Sequence, residues 1–590
     1  MSSFHKQLVL NHWLMGFLKG GSLQALKSRL GEDRHEGIED DGQTGFFHEL
    51  TQNLFEVDRF SEHDLRRYDL NIVQHWNAIT ERRSKLEGTV LNMKYFQYLS
   101  LLFTEIYLDW YFNKPQQLLD GLNVEMTAHN AAADPDHKFQ PFAGDELNKV
   151  AFWNATGSGK TLLLHVNIRQ YLHYFQRGNR EAYPDKIILL TPNEGLSRQH
   201  LEELNLSGFG FSRLFDKNRS GVFKGTIEII DINKLGDEMG EKTVAVEAFE
   251  GNNLVLVDEG HRGTGTAAGA WMARRETLVR GGFAFEYSAT FGQAVAKGLT
   301  VLKAEGELVK KKAKLLFETT NLRKLDDAQK EKLALSGDEK RRARTMATRE
   351  IYAKSILFDY SYKFFYEDGY GKESLILNLK DEEYTQEDTA RQYFTACLLS
   401  FYQQQFIWGA NRDRLTDFNI EKPLWVFVGN TVAGEDSDIL NVLRFLAGFL
   451  NDEAKTKVWL KDLLGNTARL LDSKGRNIFH DRFTPLMGQT VDEIYSGILK
   501  RLFNADAKQR LKVVNLKSSK GELALRVGES DPFTPTGFTA VSRPPMRGSS
   551  TTLFRSRKMM TPCSRCTTLK LTVPMMVLLT KRRSRHYRHW

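Results

Sequence analysis

Lys149-Val150-Ala151-Phe152-Trp153-Asn154-Ala155-Thr156-Gly157-Ser158-Gly159-Lys160-Thr161-Leu162-Leu163-Leu164-His165-Val166 is the stretch that decides the fold. Residues 150–153 read as a buried strand. The chain then breaks into a loop where glycines alternate with small hydroxyl residues, and an apolar helix opens directly behind it. That context lets backbone N–H groups converge on phosphate oxygens, with the partial positive charge of the helix N-terminus behind them. Lys160 would reach the outer phosphates and Thr161 would offer its hydroxyl to Mg²⁺. Thr156, Gly157, Ser158, Gly159, Lys160 and Thr161 are therefore the candidate nucleotide-binding residues, with ATP as the expected nucleotide. Asn154 stands where the general pattern has its first glycine, a departure that does not weaken the reading; a merely Gly-rich turn is the competing one.

Outward from this stretch, short apolar runs at 186–190, 226–230, 254–257 and 283–287 alternate with helical patterns. That alternation predicts βαβ units, a parallel sheet and an α/β fold. The run at 254–257 ends in Asp258-Glu259-Gly260-His261. Two carboxylates at the end of an apolar strand are costly to bury unless they meet a metal. Asp258 would hold Mg²⁺ together with Thr161, and Glu259 would orient and deprotonate an attacking water. The run at 283–287 ends in Ser288-Ala289-Thr290. On its own that triplet is a strand-end turn; it gains meaning only from its order after the other two motifs.

In that order the sequence resembles superfamily 2 helicases and translocases, the DEAD/DEAH-box group. Residues 154–161 look like motif I, 258–261 like motif II, 288–290 like motif III, and Thr191-Pro192 with Leu196 and Gln199 like motif Ia. The resemblance implies a RecA-like sheet flanked by helices, with ATP and Mg²⁺ as cofactors. It places Lys160, Asp258, Glu259 and His261 in the catalytic machinery, with His261 coupling nucleotide state to nucleic acid. It sets Thr191, Pro192, Ser288 and Thr290 near a nucleic-acid backbone and makes Gln97 a candidate adenine reader. Within the superfamily, Asp258 to Gly263 and the stretches 355–363 and 369–372 are most similar to the restriction subunit of type III restriction enzymes. That subgroup implies duplex DNA as partner and a modification methyltransferase subunit. The resemblance spans about residues 90–528.

The formal charge of +8 does not support this reading, because it is unevenly distributed. The last acidic residue is Asp531, and twelve Lys or Arg follow it, so residues 1–531 carry 70 basic against 74 acidic side chains. Three cysteines exclude a disulfide scaffold, and no run is long enough to span a membrane. A cytoplasmic location is the default expectation. The expected organisation is a helical region at 1–145, a RecA-like lobe at 146–300 and a charged helical insert at 301–420. A partial second lobe at 421–528, opened by a strand at 424–428, and a basic tail at 529–590 complete it. The insert reads as a solvated helical hairpin or linker, with a nucleic-acid surface as the alternative.

The second lobe reads as incomplete. Residues 425–590 hold no Gln-x-x-Gly-Arg-x-x-Arg, the pattern that would supply an arginine finger, and no nuclease carboxylate–lysine cluster. The tail's lack of acids suggests a shifted reading frame from about residue 530, against a genuine basic arm. Cys563, Cys566, His586 and His589 have the wrong spacing for a zinc site. The expected function is an ATP-dependent DNA helicase or translocase whose turnover in this chain is weak. A nucleotide- and DNA-binding module without turnover, and an RNA helicase, are the alternatives.

Overall fold

The computed structural model describes residues 4–54, 59, 61–88, 90–133, 138–178, 183–216, 224–236, 244–245, 249–259, 276–291, 299–371, 373–377, 379, 387–416, 422–427, 439–507, 510–515, 523–527, 552–553 and 577–580. They fall into two compact units, Met1–Tyr370 and Gly371–Trp590.

The first unit opens with helices α1 (Val9–Met15), α2 (Leu23–Leu30), α3 (Glu62–Glu87), α4 (Tyr95–Asn113) and α5 (Pro115–Ala132). Their ends follow local chemistry. Ser61 and Asp64 form a capping box on α3, and Gly88 closes that helix at φ +71°. Pro115 opens α5 directly after α4, where its missing N–H costs nothing. Helix α4 is apolar in composition and is buried from Tyr95 to Asp109.

A seven-stranded, wholly parallel sheet follows. Its strands are β1 (Lys149–Asn154), β2 (Ile187–Thr191), β3 (Ser212–Leu214), β4 (Ile227–Asp231), β5 (Leu254–Asp258), β6 (Phe283–Ser288) and β7 (Ile356–Tyr360), in the order β3-β4-β2-β5-β6-β1-β7. The interior strands are apolar on both faces because helices cover both. On one face Phe152, Leu189, Ile229, Leu256 and Phe285 share a core with the N-terminal helices and with α6 (Lys160–Gly178). On the other, Ala151, Ile188, Ile230, Val255 and Ala284 pack with Ala347 and Tyr352. The helices of residues 1–145 thus share a core with the sheet. The expected RecA-like α/β sheet is present, and the five strands predicted between residues 150 and 287 each lie within a residue of their positions.

Helix α7 (Glu194–Leu206) links β2 to β3, while α8 (Leu299–Phe317) and α9 (Gly337–Ser355) lie between β6 and β7. A strand inside the stretch read as a charged linker therefore completes the sheet. The N-terminal segment seals this edge strand. Asn11 Nδ2 donates to the Leu357 carbonyl at 3.0 Å, and the His5 ring stacks on Trp153 with centroids 4.7 Å apart. His5 Nδ1 lies 2.5 Å from Asp359 Oδ2.

The second unit, among its described residues, is a helical cluster. Helices α10 (Glu387–Ala410), α11 (Ile439–Asn451), α12 (Glu453–Leu464) and α13 (Val491–Phe503) enclose a core that includes Tyr393, Leu399, Phe445, Phe449, Leu460 and Ile498. The strand expected at 424–428 is present as Val426–Phe427, paired antiparallel with Thr552–Leu553, and Leu511–Asn515 pairs antiparallel with Leu523–Val527. No parallel sheet occurs among the described residues of this unit. Apart from 552–553 and 577–580, the basic tail, including both cysteines and both histidines of the zinc reading, lies outside the described residues.

Candidate functional site

The motifs meet at the carboxyl edge of the parallel strands, where open α/β sheets place their ligands. Strand β1 delivers the loop, and the Ala155 N–H is anchored on the Tyr360 carbonyl of β7 at 2.9 Å. Ser158 is buried, and its hydroxyl donates to the Ala155 carbonyl at 2.8 Å, closing the loop on itself. Gly157 (φ +91°) and Gly159 (φ +85°) turn the backbone through the left-handed region, which only glycine enters freely. Helix α6 starts at Lys160, so its first N–H groups have no partners within the helix. Thr161 sits half-buried on that first turn.

Gln97 lies behind this loop. It is 1% exposed; its Nε2 donates to the Ser158 carbonyl at 3.1 Å, and its Oε1 accepts from Lys94 N–H at 2.9 Å. A Cβ on Gly159 would come within 2.4 Å of that Nε2. Gln97 thus lies against the loop: its bond to the Ser158 carbonyl braces the loop, and its bond from Lys94 N–H caps its own helix. Asn154 is fully buried at the loop's start, and neither of its amide atoms has a partner among the described residues.

Strand β5 carries the acid pair. Lys160 Nζ lies 3.0 Å from Glu259 Oε1, joining the ends of β1 and β5. Glu259 holds φ +56°, a conformation that costs a side-chain-bearing residue about 1–3 kcal/mol. Its neighbour Asp258 faces a residue the sequence reading passed over: His200 Nε2 of α7, 2.9 Å from Asp258 Oδ2. Burial alone would raise the Asp258 carboxyl. The His200 hydrogen bond and charge, with the Lys160 ammonium, outweigh that and hold it below its usual range. The sequence signal for His200 is its place on the motif Ia helix, next to Gln199. His261 and Gly260 lie outside the described residues.

Strand β6 pairs with β5 so that Tyr287 is opposite Asp258. The next residue, Ser288, is buried, and its Oγ accepts the Thr290 N–H at 3.1 Å. The Ala289 carbonyl accepts from Trp153 Nε1 at 3.0 Å, tying motif III to β1. Thr191 is 2% exposed, and its hydroxyl is shared with Ser197 Oγ at 2.6 Å. Its role at this edge is to hold the turn, and Pro192 is the more accessible of the two. The Pro192 carbonyl accepts from Asn233 Nδ2 at 3.3 Å.

These residues fit a nucleoside triphosphate with Mg²⁺. The two left-handed glycines leave a cradle with no side chain of its own, a lysine stands at its rim, and the Thr161 hydroxyl and Asp258 supply hard oxygen donors. No group of three or more His, Cys, Asp or Glu that could enclose a metal occurs among the described residues. Mg²⁺ suits such a site, since it usually takes one or two carboxylates plus phosphate and water.

No curated protein matches the chain. Residues 116–292, from α5 through the loop after β6, match the family model described as type III restriction enzyme, res subunit; the chain carries a ResIII domain, consistent with a Res-like protein of helicase superfamily 2.

Proposed function

We propose that this chain is an ATP-dependent DNA helicase or translocase of a type III restriction-like system. The observation that carries the reading is the Lys160–Glu259 pair joining the phosphate loop to the acid-ended strand β5, inside the stretch matched to the res subunit family. ATP would lie against residues 157–161, with Mg²⁺ held by Thr161 and Asp258; the bound nucleotide supplies the phosphoanhydride whose cleavage drives movement. Lys160 exchanges its carboxylate partner for phosphate oxygens. Glu259, freed from that pair, orients a water and accepts its proton. His200 keeps the Asp258 carboxylate aimed. Duplex DNA would cross the edge near Pro192 and Thr290, and a modification methyltransferase subunit would supply sequence specificity. No helix among the described residues is long and apolar enough to cross a membrane, and a cytoplasmic location fits a chain that acts on DNA.

One sequence observation favours a weaker motor: residues 425–590 lack the arginine-finger pattern. Loss of such a finger costs ~10³–10⁵ in rate in related nucleotide hydrolases. The chain should therefore bind nucleotide and turn it over slowly. The test is titration with a fluorescent ATP analogue, with and without Mg²⁺, alongside phosphate release with and without duplex DNA or single-stranded RNA. Lys160→Ala should abolish binding, whereas Glu259→Gln should keep binding and remove residual turnover. Wild type that binds no nucleotide overturns the reading, and vigorous unwinding overturns the slow-turnover part of it. Stimulation by RNA alone would establish the RNA-helicase alternative.

A further inference from the structure

Residues 299–355 carry 15 Lys or Arg against 9 Asp or Glu, a net of +6, while the remainder of residues 1–531 carries 55 against 65, a net of −10. The charge is organised on a folded element. Helices α8 and α9 form a hairpin closed by a small core of Ala313, Leu325 and Leu333, with Val309, Phe317 and Leu322 against it. Five of these nine acids pair with basic residues of the same stretch: Glu307 with Lys310 at 2.8 Å, Asp327 with Lys330 at 3.1 Å, Glu339 with Lys312 at 3.3 Å, Asp338 with Arg341 at 3.7 Å and Glu350 with Lys354 at 3.6 Å. Lys314, Lys324, Lys332 and Lys340 are exposed and have no ion pair among the described residues. Arg344, half-buried on α9, has its Nε buried without a partner.

Topology aims this charge. Strands β6 and β7 both run parallel to β1, so the chain leaves β6 at the carboxyl edge of the sheet and must re-enter at the opposite edge. Helix α9 makes that return, because Ser355 leads straight into Ile356. Its second half lies on the sheet, with Ala347 and Tyr352 buried and the Tyr352 hydroxyl donating to Glu286 at 2.9 Å. Nineteen helical residues extend ~28 Å, against ~17 Å for a five-residue strand. The first half of α9, with α8 beside it, therefore overshoots the carboxyl edge, the edge that carries the phosphate loop and Thr290.

We infer that the α8–α9 hairpin is an arm that grips the phosphate backbone of nucleic acid lying along the carboxyl edge of the sheet; this rests on the proposed nucleic-acid-dependent activity. The four unpaired lysines supply sequence-independent contacts, and each phosphate neutralised releases condensed counterions.

The test compares the full chain with its Lys314→Gln/Lys324→Gln/Lys332→Gln/Lys340→Gln variant, so that the basic tail is common to both. Binding to a 30-base-pair duplex is followed by anisotropy across a salt series. The expected result is a slope of log affinity against log salt shallower by about 2–4, from ~0.9 per phosphate contact, and equal for duplexes of unrelated sequence. Thermal unfolding and fluorescent-nucleotide affinity should not change. Wild type that binds duplex with the variant's slope unchanged overturns the arm and leaves the proposed activity standing. Wild type that binds neither duplex nor single strand overturns both.

Discussion

Substituting Gly159 with alanine tests how tightly the phosphate loop is built. At φ +85° an alanine pays ~1–2 kcal/mol for the left-handed backbone. Its Cβ would also stand 2.4 Å from Gln97 Nε2, well inside contact distance. Gln97 is 1% exposed and holds bonds of 2.9 and 3.1 Å to Lys94 and Ser158, so moving it aside strands buried backbone groups at ~1–3 kcal/mol. Together these amount to about 2–5 kcal/mol, or ~30- to 4,000-fold in nucleotide affinity if the loop distorts to escape. The assay is a double-mutant cycle on fluorescent-nucleotide binding, using Gly159→Ala, Gln97→Ala and the double variant. The double variant should bind about as well as Gly159→Ala alone, because Gln97→Ala strands the same Lys94 and Ser158 backbone groups that the clash strands, so the two losses should not add. Gly159→Ala with wild-type affinity, or a double variant in which the two losses simply add, would refute the steric reasoning.

Removing His200 leaves Asp258 buried without its 2.9 Å partner. His200→Ala should lower stability by ~1–3 kcal/mol and raise the Mg²⁺ concentration needed for nucleotide binding; His200→Gln, which can still donate, should recover most of the Mg²⁺ response. Glu105 is fully buried and, among the described residues, accepts from neutral groups, Tyr174 Oη (2.6 Å), Gln170 Nε2 (2.6 Å) and Asn71 Nδ2 (2.8 Å), and burial pushes its carboxyl up to about 7. Because the folded state holds this proton more tightly than the unfolded state, the contribution is full below about pH 4.5 and fades as pH rises towards 7. It amounts to ~3 kcal/mol. Denaturant melts across that range should show the slope in wild type and lose it in Glu105→Gln; an unchanged slope in the variant would remove Glu105 as its source.

The parallel sheet was legible because a strand buried on both faces must be apolar throughout. Runs such as Ile187–Leu190 have little other use between glycine- and asparagine-marked turns. Motif order made the edge legible too, since residues 154–161, 258–259 and 288–290 each follow a strand and so share its carboxyl end. Strand β7 was hidden because its five residues follow α9 without a turn, and a short apolar run there cannot be told from helix. The partnership of His200 with Asp258 spans 58 residues, and no local spacing encodes it. The second unit is less legible for a related reason: residues 424–428 have strand-like composition, but composition does not say whether a partner runs parallel or antiparallel.

The sealing of β7 by the first helix has a consequence for synthesis. The partners of His5 and Asn11 lie 354 and 346 residues downstream, so the polar anchors of the N-terminus do not yet exist when it leaves the ribosome. At 5–20 residues per second the wait is roughly 20–70 seconds. In that interval Trp13 can lean on Trp110 once α4 has emerged, but the core that holds Leu8 is not complete until Ile356 of β7 joins it. Residues 5–11 are thus among the last of the first unit to be fixed, because their polar partners are made 354 and 346 residues later, and the sheet's edge is sealed only when the two stretches meet.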